Sequence, residues 1–169
     1  MVGWLVAFAA GAAMALGFAP FYVLPVVLMG VPIYYALLVS APSRGQALLR
    51  GFFFAYGYSM AGTWWMANAL LIDPERYGWL RPFCIFGLTA LISWWGIVMG
   101  WAVHALRHRI SPLLFAFVWV LVEVARSYGM FGFPWNLVGY MSWAIPALAQ
   151  TASLVGVYGL GGILVWLSL

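Results

Sequence analysis

The sequence predicts an all-α fold, a polytopic transmembrane helix bundle of about six spans, and three observations predict it. Hydrophobic residues make up 67% of the chain and charged residues only 6%, where a water-soluble domain carries about a quarter charged residues. Mean hydropathy is +1.04. The apolar residues also fall into long runs separated by short turns that hold proline, glycine or charge. A spanning helix needs about 20 apolar residues at ~1.5 Å rise each to cross a ~30 Å hydrocarbon core. The 169 residues therefore have room for roughly six or seven spans and for no soluble domain of ordinary size.

We read residues 1–169 as one transmembrane domain, with spans near 4–18, 22–40, 47–72, 82–106, 112–128 and 147–169 and an outward-facing loop over 129–146. The first run ends at Pro20, and no Lys or Arg precedes it, so it reads as a membrane segment and not as a signal peptide. The second carries Pro25 and Pro32, which shorten or kink a helix. Ala41 to Gln46 is a polar turn, after which the third run climbs through Trp64, Trp65 and Asn68. Asp73-Pro74-Glu75-Arg76-Tyr77-Gly78 reads as the next loop, and the fourth span follows from Pro82 to Leu106. The fifth opens at Ser111-Pro112, an N-cap followed by proline at the first helical position. The sixth is glycine-rich and stops at Leu169 inside an apolar stretch, without the polar or basic flank that anchors a helix end at the headgroups. That ending is the pattern expected of a fragment or a truncated frame.

The net charge of +4 comes from seven arginines, no lysine and three acids, Asp73, Glu75 and Glu123. The arginines are scattered between apolar runs and form no stripe or tail, which argues against a nucleic-acid partner. Alternating the loops puts Arg44, Arg50, Arg107 and Arg109 on one side without an acid, and Arg76 and Arg81 with Asp73 and Glu75 on the other. The positive-inside rule assigns the first set to the cytoplasm. The N-terminus is then cytoplasmic, and the 129–146 loop faces outward from a bacterial inner membrane.

Polar groups kept inside such a chain are functional candidates by default. Glu123 and Arg126 are three apart, share a helix face and can pair. Counted from Pro112 they lie roughly 17 Å and 21 Å along the span. They form either an internal ion pair that holds the fifth span and satisfies the following loop, or part of a reactive site. Gly132-Phe133-Pro134-Trp135-Asn136 reads as a helix end followed by a re-entrant or interfacial turn, since glycine allows positive φ and tryptophan favours headgroup depth. Such backbone must be buried in protein or wet. It either lines a lateral opening for a lipid tail or is a loop with aromatic anchors.

Cys84 is the sole cysteine, which excludes an intramolecular disulfide and any multi-thiolate metal site. It has no base near it in sequence to activate it, so it reads as a small buried hydrophobe. His104 and His108 have metal-ligand spacing on one helix face, but beside Arg107 and Arg109 they read as basic interfacial residues. Trp64-Trp65 and Trp94-Trp95 read as aromatics that pack the bundle. No metal site or cofactor is expected, and residues 1–169 offer no Ser-His-Asp set, no phosphate loop and no carboxylate pair at membrane depth that could run acid/base chemistry.

At Ala19-Pro20-Phe21, at Glu123-x-x-Arg126, at Gly132-Phe133-Pro134-Trp135-Asn136 with Gly139-Tyr140, and at Pro146-x-Leu148-x-Gln150 before Gly156-Val157-Tyr158-Gly159-Leu160, the chain resembles the membrane region of bacterial apolipoprotein N-acyltransferases. The resemblance implies an inner-membrane enzyme with eight spans and a nitrilase-like periplasmic domain holding a Glu-Lys-Cys triad. It implies a phospholipid acyl donor and an apolipoprotein acceptor: the acyl chain passes through a cysteine thioester to the α-amino group of a diacylglyceryl-cysteine. The resemblance covers the chain to its last residue, ahead of that domain, so the chain alone is expected to be inactive. Cys84 does not match the catalytic cysteine, and Met130-Phe131 departs from the small or hydroxylated residue usual before the glycine. What carries over is Glu123, Arg126, Phe133, Pro134, Trp135, Asn136, Tyr140 and Gln150, as an outer-leaflet floor for lipid access or as a structural loop. Two other readings stand beside it. A small permease would need a polar path, for which Asn68, Glu123 and Arg126 are the available groups; a catalytically inactive truncated membrane protein would need none.

Overall fold

A computed structural model describes residues 2–129 and 132–169. Among these the chain is all-helical, with no strand. Helix α1 (Gly3–Met14) runs on into a 3₁₀ turn, Ala15–Gly17. Helix α2 (Pro25–Val39) begins with Pro25 in its first turn and continues through Pro32. Helix α3 (Arg44–Thr63) is capped by Ser43, whose hydroxyl accepts from the Gln46 N–H at 3.3 Å, and tightens into a 3₁₀ stretch at Trp64–Leu71. Helix α4 (Pro74–Ala105) extends over 32 residues. It holds a π-helical stretch at Phe83–Leu88 and a break at Ser93. Helix α5 (Pro112–Tyr128) starts as the sequence predicts, with the Ser111 hydroxyl accepting from the Leu114 N–H at 3.2 Å and Pro112 at the first position. A 3₁₀ stretch, Val138–Ala144, leads to the short α6 (Pro146–Gln150) and to α7 (Ala152–Leu167).

Three boundaries differ from the sequence reading. Residues 73–78 open α4 and are not a loop, because the Asp73 carboxylate accepts from the Arg76 N–H at 3.3 Å and Pro74 occupies the first turn. The 129–146 segment carries its own 3₁₀ helix. The sixth run is broken, since Gly156 adopts φ 71° and ψ 169° inside α7, a conformation open to glycine and strained for other residues. Met130-Phe131, where the sequence departs from the family pattern, lies outside the described residues.

Small residues let the helix backbones touch. A methyl at Gly11 would overlap the Phe54 carbonyl, and one at Gly57 the Phe8 carbonyl, which joins α1 to α3. Gly51 faces Gly96 and Ala47 faces Gly100 in the same way, joining α3 to the second half of α4. The Gly96-x-x-x-Gly100 and Ala47-x-x-x-Gly51 spacings are the small-residue steps that permit close approach between helices in lipid, where dispersion and not water exclusion drives association. These pairings run antiparallel. They gather the start of α3 and the ends of α2 and α4 at one end of the bundle, where an Arg50 Nη donates to the Leu37 carbonyl at 2.8 Å. At that end Arg107 contacts both imidazoles, His104 at 3.3 Å and His108 at 3.1 Å. Cys84 is half-buried within the π-helical stretch at the far half of α4.

An aromatic column fills the centre. Tyr34 stacks on Phe54 with centroids 3.8 Å apart, and Trp95 and Trp119 meet Phe54 edge-on at 6.5 Å and 6.3 Å. Trp95 is thus core, as the sequence predicts, and Trp94 packs against it. Trp64 and Trp65 are not: both are about half exposed, because α3 has already turned into its 3₁₀ extension there. Among the described residues, α4 is the helix long and apolar enough to cross a membrane; α1 with its 3₁₀ turn, α2 and α7 are shorter apolar helices.

Candidate functional site

The site lies at the bundle end opposite Arg44 and Arg107, and it is built on the last turns of α5. Three-residue spacing brings Glu123 and Arg126 to the inner face of that helix, where they are 4% and 7% exposed. The Nη2 of Arg126 lies 3.7 Å from Glu123 Oε1, close enough to neutralise charge but too long for a hydrogen bond. Their hydrogen bonds go elsewhere. Glu123 Oε1 accepts from the Val138 N–H at 2.9 Å, and Arg126 Nη2 donates to the Asn136 carbonyl at 2.8 Å. The Arg126 carbonyl accepts from the Phe133 N–H at 3.1 Å. The pair is therefore a clasp on residues 133–138, with Leu137 fully buried between its two jaws. Tyr58, from α3, adds its hydroxyl to the same Asn136 carbonyl at 2.8 Å, and the Arg126 guanidinium lies 5.5 Å above the Trp95 ring. Tyr58, Trp95, Met99, Trp119 and Val122 close around the pair and leave no room for a water molecule.

This closure answers one of the sequence alternatives. Glu123 and Arg126 are sealed in protein, and Asn68 is exposed on the 3₁₀ stretch, where its Oδ1 meets Arg81 at 3.5 Å. The three do not join into a polar path.

Beside the clasp opens a cavity of about 710 Å³, walled by the end of α1 and its turn (Ala12 to Tyr22), by Ala61, Gly62, Trp64 and Trp65 of α3 and its extension, and by Asn136, Tyr140 and Trp143. The α1 turn is held by the Val23 N–H donating to the Leu16 carbonyl at 2.9 Å, with Tyr22 at φ 51°. The volume falls in the ~300–1,000 Å³ range of small-molecule sites, and an apolar wall with few polar groups is their usual make-up. Of the residues singled out from sequence, Asn136 and Tyr140 face this cavity. Trp135 does not: its ring packs 5.7 Å from Trp65 and 5.0 Å from Phe133, so it buttresses the wall from behind. Pro134 is exposed. Gln150 stands apart, lining a second cavity of about 340 Å³ with Trp143, Pro146 and Ala149. Sequence reasoning missed Tyr58 and Gly62. They sit one turn apart on the face of α3 that carries Phe54, and the i, i+4 spacing is the signal that places them together.

The fold and the site define an all-helical, strongly apolar domain in which a buried ion pair holds the segment beside a largely apolar cavity. Residues 10–169 match the family described as "Apolipoprotein N-acyltransferase N-terminal domain". The apolipoprotein N-acyltransferase of Brucella melitensis is 31% identical over 97% of this chain and 34% of its own length. That of Caulobacter vibrioides is 37% identical over 94% of this chain and 31% of its own length. The chain belongs to the apolipoprotein N-acyltransferase family, as its N-terminal region, and spans about a third of the length of these curated relatives.

Removing one partner of a buried pair leaves the other charge uncompensated, which costs about 3–5 kcal/mol. Glu123→Gln keeps an acceptor for Val138 but strands Arg126, so its thermal unfolding midpoint in detergent should fall well below that of Ser127→Ala. Ser127 only donates to the Glu123 carbonyl at 2.8 Å, a bond worth about 1 kcal/mol. Equal midpoints for the two variants would remove the clasp from the stability of the bundle.

Proposed function

We propose that this chain is the membrane-embedded part of a bacterial apolipoprotein N-acyltransferase that admits acyl chains to the reaction, with the 710 Å³ cavity as the place where a chain lies. The observation that carries the reading is that cavity's position, between the α1 turn and Asn136, Tyr140 and Trp143, all within the residues 10–169 that match the family. In the whole protein the activity is transfer of an acyl group from phospholipid to the diacylglyceryl-cysteine of an apolipoprotein. Residues 1–169 hold one cysteine and no lysine, so on this reading the covalent step belongs to the part of the relatives' length that the chain does not span.

The domain is a single bundle of about six spans in the bacterial inner membrane, with the N-terminus cytoplasmic. Two observations support this. Large apolar side chains cover its outside, among them Met29, Leu113, Phe117 and Leu154, which a lipid environment satisfies and water does not. The arginines without acidic neighbours, Arg44, Arg50, Arg107 and Arg109, gather at the end opposite the cavity, in keeping with the positive-inside rule. Glu123 and Arg126 hold the segment beside the cavity, Phe133, Pro134 and Trp135 flank the cavity without lining it, Asn136 and Tyr140 line it, and Gln150 borders the neighbouring hollow.

Ala61→Phe in the full-length protein places a ring in the cavity. It should lower lipoprotein N-acylation in cells at least tenfold at unchanged membrane abundance; normal acylation would take the cavity out of the reaction. Alkaline phosphatase fused after Tyr140 should be active and fused after Arg109 inactive, and the opposite result would invert the topology.

A further inference from the structure

Asn136 is the residue at which the buried clasp and the apolar cavity meet. Its φ is +55°, uncommon for a residue with a side chain although asparagine tolerates it better than most. The conformation persists because the surroundings over-determine it: its carbonyl takes hydrogen bonds from Arg126 and Tyr58, each at 2.8 Å, while Leu137 and Val138 after it are fully buried. With the backbone held from inside, the side chain is directed to the cavity wall. There its Nδ2 packs against Gly62, where a methyl group would overlap it, and it has no hydrogen-bond partner among the described residues. A buried amide donor without an acceptor is costly, and each such group calls for an explanation. Of the unpartnered buried atoms, this one belongs to a residue that lines the cavity.

We propose that Asn136 is a ligand-anchoring and specificity-determining residue, whose side-chain amide turns from its closed position against Gly62 and donates an N–H to the carbonyl oxygen of an acyl ester as the chain enters the cavity. The proposal rests on the lipid-access reading above and deepens it by naming the ligand atom. The cavity wall is otherwise largely apolar, with the Tyr22 and Tyr140 hydroxyls and the indoles of Trp64, Trp65 and Trp143 as its other polar-bearing side chains. A ligand there presents hydrocarbon to the wall and needs few acceptors, and an ester at the head of a long chain fits that description. An ether-linked chain has the same length and shape but lacks the carbonyl. The shared chemistry occurs in a glycerophospholipid and in a diacylglyceryl-cysteine.

The test uses the full-length protein in detergent and measures retained lipid by native mass spectrometry. One arm offers equimolar diacyl phosphatidylethanolamine and its dialkyl ether analogue; the other offers a diacylglyceryl-cysteine peptide and its dialkyl ether analogue. An ester preference of about tenfold is expected in the arm whose ligand uses the site, which equals about 1.4 kcal/mol. Asn136→Gly keeps a residue suited to positive φ and removes the donor, and Gly62→Ala displaces the amide. Both should bring the ratio close to one, by loss of ester retention with ether retention kept. Equal retention of ester and ether by the unaltered protein, or a preference that survives in Asn136→Gly, would overturn the role of Asn136 while leaving the cavity as a lipid site. Retention no greater than that of Ala61→Phe would overturn the lipid-access reading and this inference together.

Discussion

The buried pair of Glu123 and Arg126 is the constraint on which the cavity end of the molecule depends. An ion pair in an apolar interior gains little over well-packed hydrocarbon, because desolvation offsets the attraction. Here the two side chains do something hydrocarbon cannot. Each spends its directional hydrogen bond on the backbone of the following segment, at Val138 and Asn136, and uses only charge proximity, 3.7 Å, for its partner. Irregular backbone at membrane depth needs its polar groups satisfied by protein or water. The clasp supplies that satisfaction from protein.

From this follows the form of the cavity. Because residues 136–138 are fixed, the 3₁₀ stretch Val138–Ala144 starts from a defined point and can present Tyr140 and Trp143 opposite Trp64, Trp65 and the α1 turn. Close helix contacts at Gly11, Gly51 and Gly96 draw the rest of the bundle tight, so the opening is confined to the one end where α1 and α3 leave regular α geometry for 3₁₀ turns. Rigid packing below and a pinned but irregular rim above give a hollow that is apolar and preformed. A preformed hollow avoids much of the ordering cost that binding a flexible hydrocarbon chain would otherwise carry.

Much of this was legible in the residues. The all-helical class, the Ser111-Pro112 start of α5 and the partnership of Glu123 with Arg126 follow from composition, capping chemistry and three-residue spacing. Sequence periodicity could not show that the pair grips backbone 10 and 15 residues away, because that depends on how the chain returns after the Gly132 turn. Trp64 and Trp65 looked like core by hydrophobicity alone, but the switch to 3₁₀ geometry at Trp64 turns both rings outward. The Asp73 turn looked like a loop because Asp, Pro, Glu and Arg are polar; the same Asp-Pro order is also an N-cap and first turn, and α4 starts there. Trp135 was drawn toward the cavity by its neighbours in sequence, whereas its ring lies behind the wall against Trp65.

On the proposed function, an acyl chain occupies the hollow between the α1 turn, Trp64-Trp65 and residues 136–143. The most direct measurement is photocrosslinking of the full-length protein in vesicles with a phospholipid that carries a diazirine in its acyl chain, followed by peptide mapping. Adducts concentrated on Ala15 to Tyr22, Ala61 to Trp65 and Asn136 to Trp143 are predicted, and excess unlabelled phospholipid should reduce them. Adducts confined to outward side chains such as Leu113, Phe117 and Trp166, with the hollow unlabelled, would contradict the account.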